Sequence, residues 1–128
     1  MNETTALCAL CRAVDEAASE VRRVYDTHLT HSEHFVVLPS VGPITPGHVM
    51  VVSRNHARNL AFMGQSVIEE YKCLVQSISN RSGFRGLLEG EHGASVDSPG
   101  GACITHTHVN LIPGFDYLVD ELQLEFPI

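Results

Sequence analysis

From Thr105 to Pro113 the chain reads Thr-His-Thr-His-Val-Asn-Leu-Ile-Pro. Side chains at i, i+2 and i+4 share one face of a β-strand. The alternation therefore predicts a strand with His106, His108 and Asn110 on one side and Thr107, Val109 and Leu111 on the other. Placing two imidazoles and a carboxamide side by side costs free energy unless each finds a hydrogen-bond or metal partner. Aliphatic residues would serve packing better, so this face is read as functional. The strand is expected to run from Ala102 to Ile112 and to stop at Pro113-Gly114, with a glycine-rich loop at Gly93–Gly101 before it.

Two β-branched runs, Phe35–Leu38 and Val49–Val52, have strand length and composition. The Pro- and Gly-dense connection Pro39–Gly47 joins them as a stiff, ordered loop. Val67, Ile68, Tyr71, Leu74, Val75 and Ile78 fall on one helical stripe, with Glu69, Glu70, Lys72 and Gln76 outside it. Cys73, near that stripe, is expected in the core. A short helix is expected around Val14–Val21, with Val21–Thr27 equally readable as an opening strand. A further strand is expected over Phe84–Leu88, and a strand-like edge at Leu122, Leu124 and Phe126. His28, His31 and His34 sit in a polar connection and are expected to face solvent. Strands come in adjacent groups rather than as strict βαβ repeats, which predicts an α+β fold: a mostly antiparallel sheet of about five strands, a long helix and a short N-terminal helix. Its 128 residues are one domain's worth, 1–128, enough for a real core.

Composition narrows the function. At 44 % hydrophobic residues, a disordered tail is excluded. Apolar runs of four residues fall far short of the roughly 20 that span a bilayer, and Met1–Thr5 lacks the basic and apolar regions of a secretory signal. A cytoplasmic protein with no membrane partner is expected. Eight Lys plus Arg against fifteen Asp plus Glu give a net charge of −7, which disfavours binding a nucleic-acid duplex while allowing a local phosphate pocket. Four cysteines are too few and too unevenly placed for a disulfide framework. Cys8-x-x-Cys11 has the spacing that wraps one tetrahedral Zn²⁺, shared with redox pairs. A redox pair wants a strand in front, and none is visible; plain reduced cysteines are the remaining reading.

The 105–113 segment resembles the signature of the histidine triad (HIT) superfamily of nucleotide hydrolases and transferases. Pro46-Gly47-His48-Val49-Met50-Val51-Val52 with Arg54-Asn55-His56 resembles a second stretch of that family. Glu91-His92-Gly93 with Pro99-Gly100-Gly101 resembles the segment that precedes the signature in one bacterial branch. Together the likeness covers about residues 8 to 115. It implies that His108 is a nucleophile that attacks the α-phosphorus of a nucleotide or nucleotide conjugate and forms a covalent nucleotidyl-histidine. It implies further that Ser40 contacts the nucleoside, that Gly100 and Gly101 offer backbone N–H groups to phosphate, and that a homodimer forms. Cys103 and His92 join as candidate substrate contacts. Zinc-bearing branches imply a structural Zn²⁺ on Cys8, Cys11, His56 and His106. His48 is read as structural, hydrogen-bonding near the signature.

The chain departs from the pattern in three places. Asn110 stands for the third His, Ala102-Cys103 for a Gln-Ser/Thr pair, and Thr107 for an apolar residue. A carboxamide can donate to a phosphate oxygen but cannot act as an acid. Related transferase branches carry Gln there, which tilts the expectation toward phosphorolysis or transfer. Two other readings stay open: a non-catalytic nucleotide-binding module, and a biosynthetic enzyme running different chemistry in the same pocket.

Overall fold

A computed structural model describes residues 8–15, 26–81, 86–91, 105–114 and 116. Five strands form one antiparallel sheet: β1 (Thr30–His31), β2 (Phe35–Pro39), β3 (Val49–Ser53), β4 (Leu88–Glu91) and β5 (His108–Ile112). Their spatial order is β1-β2-β3-β5-β4, so the signature strand lies inside the sheet between β3 and β4. Among the described residues two α-helices accompany them, α1 (Ala9–Val14) and α2 (Gln65–Ser79). The α+β architecture and five-stranded sheet match the sequence reading.

The period-2 pattern of the strands separates two apolar layers. Directly opposite residues of antiparallel strands share a face, and β3 meets β5 as Val51↔Val109 and Val49↔Leu111. These four residues pack with Phe35, Val37 and the α2 side chains Tyr71, Val75 and Ile78. The stripe read from the sequence is thus the buried face of α2, and the Phe35 and Tyr71 rings meet at 5.8 Å. The alternate register, Val52↔His108 and Met50↔Asn110, faces the other way. There Val36, Leu38 and Val52 pack against Leu10, Ala13 and Val14 of α1. One side of β5 is committed to core, and the other carries His108 and Asn110.

Several boundaries differ from expectation. The N-terminal helix starts at the cysteine pair, because the Cys8 sulfur caps it by accepting from Cys11 N at 3.4 Å; residues 16–25 lie outside the described part. The strand expected over 84–88 is found at Leu88–Glu91, and Phe84 is outside the description. The signature strand is shorter than read, beginning only at His108. Thr107 turns its N–H and its hydroxyl to the Ala57 carbonyl, at 2.7 and 3.0 Å, which holds the entry to the strand outside regular pairing. The tail at 122–126 lies outside the described residues.

His31 is exposed as expected, and His34 keeps 38 % of its side-chain surface, but the connection at 28–34 is also tied down. His28 Nε2 donates to the Ala13 carbonyl at the end of α1, at 2.8 Å. His34 Nδ1 lies 2.6 Å from Glu70 Oε2 on α2, and Ser32 Oγ and His34 N donate to Oε1 of the same carboxylate. Cys73 is exposed, not core. It sits two residues from Tyr71, about 200° around a helix of 3.6 residues per turn, and so points away from the buried stripe.

Candidate active site and metal cluster

His106 does not join His108 on the face of the sheet. It precedes β5, is 1 % exposed, and turns into a cluster beside α1. Its Nδ1 lies 3.4 Å from Cys8 Sγ and 3.3 Å from Cys11 Sγ, and His56 Nδ1 lies 3.1 Å from Cys11 Sγ. The four donor atoms fall within 4.8 Å of one another. A tetrahedral ion at about 2.3 Å from sulfur and about 2.0 Å from nitrogen spaces its ligands roughly 3.3–3.8 Å apart. Two thiols and two imidazoles therefore have the type, number and spacing of a closed four-coordinate site.

The surroundings of these donors suit that role. His106 Nε2 donates to the Ser53 carbonyl at 2.6 Å, which fixes the ring and leaves Nδ1 as the lone pair. Burial lowers the His106 pKa against the pull of that carbonyl, and the neighbouring His56 and His108 lower it further, so the ring is a neutral ligand. Among protein groups alone, burial and then the hydrogen bond and charge of Cys8 push the Cys11 thiol up to about 12. A bound cation reverses that balance and holds the sulfur as thiolate.

On the other side of this turn, His108 Nδ1 lies 2.7 Å from the backbone oxygen of His106. A carbonyl only accepts, so Nδ1 carries a proton, and in the neutral tautomer the lone pair is on Nε2. The ring lines a cleft of about 290 Å³ together with Ala9, Leu10 and Ala13 of α1, Leu38 and Ser40 of the β2 end, and Met50. Among the described residues the polar lining, apart from His108, is Ser40 and Asp26. An apolar slot with few polar groups and a basic nitrogen at its edge suits the flat face of a heterocycle and a reactive group beyond it.

Asn110 follows on the same face. Its Oδ1 is 2.9 Å from His48 Nε2, and Ile44 N–H donates to His48 Nδ1 at 3.1 Å. The β2–β3 loop places His48 there by closing on itself. Ser40 N donates to the His48 carbonyl at 3.1 Å, His48 N to the Thr45 carbonyl at 3.1 Å, and Thr45 Oγ1 to the Pro113 carbonyl at 2.7 Å. Gly47 makes the turn at φ +85°, where a Cβ would stand 3.3 Å from the Pro113 ring.

The structure thus brings His108 and Ser40 to one cleft, with Asn110 beyond His108 on the same strand face and held by His48, and gathers Cys8, Cys11, His56 and His106 in one cluster. His92, Gly100, Gly101 and Cys103 lie outside the described residues. The sequence reading missed the part played by α1 and Asp26 in walling the cleft. The signal for α1 was the pair of small residues Ala9 and Ala13, four apart and thus on one helix face; Asp26 gave none.

Solved structures settle what this arrangement resembles. A histidine triad protein from Clostridium difficile superposes with a TM-score of 0.64 over 84 % of this chain and 90 % of its own, at 20 % identity. A HIT family hydrolase from Clostridium thermocellum gives 0.65 over 86 % and 92 %, at 18 % identity. This chain has the histidine triad fold. A Zn-bound histidine triad family protein from Mycobacterium smegmatis also matches, with a TM-score of 0.62 over 85 % and 76 % and 18 % identity. No family model matches the chain, and no curated protein does. The histidine triad fold here is therefore carried by shape rather than by close sequence likeness.

Proposed function

We propose that this protein is a nucleotide hydrolase or nucleotidyltransferase that works through a covalent bond to His108. The observation that carries the reading is the 2.7 Å hydrogen bond from His108 Nδ1 to the His106 carbonyl, which leaves Nε2 basic at the mouth of an apolar cleft. The Nε2 lone pair attacks the α-phosphorus of a nucleotide conjugate. A P–N bond forms and the P–O or P–N bond to the leaving group breaks, its electron pair departing with that group. Water or another acceptor then opens the nucleotidyl-histidine. The base lies against Leu10, Leu38 and Met50, and Ser40 contacts the nucleoside. Gly100 and Gly101 supply backbone N–H groups to phosphate oxygens, and His92 and Cys103 are further substrate contacts.

The metal of the cluster is zinc in a structural role on this reading. Its two thiolates and two imidazoles close the sphere and leave no position for substrate. That role makes His106 a ligand and not a general base. The working unit is a homodimer, a reading supported by β4 standing at the edge of the sheet among the described residues. Light scattering at a mass of one 14.0 kDa chain would refute it.

The test is intact mass after a basic quench, with diadenosine polyphosphates, UDP-sugars and nucleoside phosphoramidates as donors. A gain of one nucleoside monophosphate, absent from His108→Ala, is expected. A folded, zinc-loaded protein that gains no mass and releases no product from any donor would overturn the reading and favour a binding module.

A further inference from the structure

Ala9 and Leu10 are the spacer of the Cys8-x-x-Cys11 pair, and both line the cleft that His108 also lines. Any rearrangement of the two cysteines is therefore a rearrangement of the cleft itself. The sulfurs are placed to reach one another. Cys8 caps α1, Cys11 stands one turn on with its N–H donating to Cys8 Sγ at 3.4 Å, and the donor atoms of the cluster all lie within 4.8 Å of one another. Residues three apart on a helix hold their Cβ atoms roughly 5–6 Å apart, and a disulfide draws them to about 4 Å. Joining the pair thus tightens the first turn of α1 and leaves the sheet where it is. Cys8 is half-buried and Cys11 buried, so Cys8 is the sulfur that a small solute meets first.

We propose that Cys8 and Cys11 are an oxidation site as well as metal ligands: a hydroperoxide joins them as a disulfide, which frees the ion and displaces the Ala9–Leu10 side of the cleft. The inference rests on the zinc reading given above and goes beyond it. A metal-bound sulfur is a thiolate, the form that reacts. Cys8 Sγ attacks one peroxide oxygen, the O–O bond breaks, and the sulfur becomes a sulfenic acid while the second oxygen leaves as its anion. Cys11 Sγ then attacks Cys8 Sγ, the S–S bond forms, and the sulfenic oxygen leaves as hydroxide. The two sulfurs give up two electrons, the peroxide takes them, and both departing anions are protonated by water. His56 and His106 are then the remaining donors, and two imidazoles do not close a tetrahedral sphere. A dithiol reductant restores both thiolates and with them the site.

The test treats the full-length, zinc-loaded protein with and without hydrogen peroxide beside a chromogenic chelator, then digests it briefly with trypsin and alkylates after the quench. Arg12 is an exposed residue of α1, so cleavage after it reports whether the helix stands, and the peptide that ends there carries both cysteines. Peroxide is expected to release about one zinc per chain. The peptide is expected to be unalkylated and lighter by the two hydrogens a disulfide lacks, and to appear about tenfold faster than from untreated protein. Dithiothreitol with added zinc is expected to reverse the release and the fast cleavage. The exposed Cys73 on α2 gauges the dose of oxidant. Zinc retained after Cys73 is fully oxidised, or zinc lost with Cys8 and Cys11 oxidised separately and unjoined, would overturn this inference and leave the zinc reading standing. A closed disulfide with unchanged cleavage after Arg12 would overturn the displacement of the cleft. A folded protein that neither carries zinc nor takes it up would overturn the zinc reading and this inference with it.

Discussion

His106 does two jobs with different atoms. Its ring faces the cluster and the Ser53 carbonyl, and its backbone oxygen receives the His108 N–H. The residue read from the alternation as a partner of His108 on the sheet face is therefore its support. Removing the ring should empty the cluster, whereas removing the His108 ring should not. Elemental analysis after gel filtration is expected to find about one zinc per chain in wild type and His108→Ala, and well under half of that in Cys11→Ser and His106→Ala. Zinc lost with His108→Ala would place that residue on the metal instead. At this scale the sequence was informative where local spacing decides the outcome. His108 and Asn110 share a face because a strand repeats every two residues, and Cys8 and Cys11 converge because one helical turn brings them together. The turn of His106 away from that face was not legible, because it depends on Thr107 finding the Ala57 carbonyl fifty positions earlier.

Between elements, the least anticipated link is the one from the β1–β2 turn to α2. Burial pushes the Glu70 pKa up, but the hydrogen bonds from Ser32, His34 N and the His34 ring, together with the His34 charge, outweigh it and the net movement is down. The same hydrogen bond raises His34. A raised histidine adds stability below its ordinary pKa of about 6.5 and loses it as pH climbs through the folded value; a lowered carboxyl adds stability above its ordinary value of about 4.3 and loses it as pH falls through the folded one. The pair therefore helps most in mildly acidic solution. The gap in melting temperature between wild type and His34→Gln is expected to be wider near pH 6 than near pH 9, and an equal gap at both would argue against the pairing. Helix α2 and strands β2 and β3 were readable because apolar period and length agree there. The β1 strand was not. It is two residues long and polar, and its pairing Thr30↔Val37 and His31↔Val36 comes from the tertiary fold, not from propensity.

Across the whole molecule the sheet works as a partition. The α2 side is an apolar core, and the α1 side is half core and half cleft. Strands β2, β3 and β5 and the long helix follow from the sequence patterns, and the histidine triad fold ties the described elements together. Where the cleft lies was legible only in part, because one of its walls is a helix of six residues. A helix that short is not stable alone in water, where about 12 or more residues are needed. Leu10, Ala13 and Val14 give it a footing on the sheet, and Cys8 and Cys11 tie its first turn to His56 and His106. On the proposed reading, thermodynamic reciprocity joins two ligands that never touch. If the ion holds the wall that the nucleoside leans on, the nucleoside must hold the ion by the same coupling free energy. A saturating nucleotide is expected to slow zinc capture by a chromogenic chelator several-fold, and an unchanged rate would mean that the wall stands without its anchor.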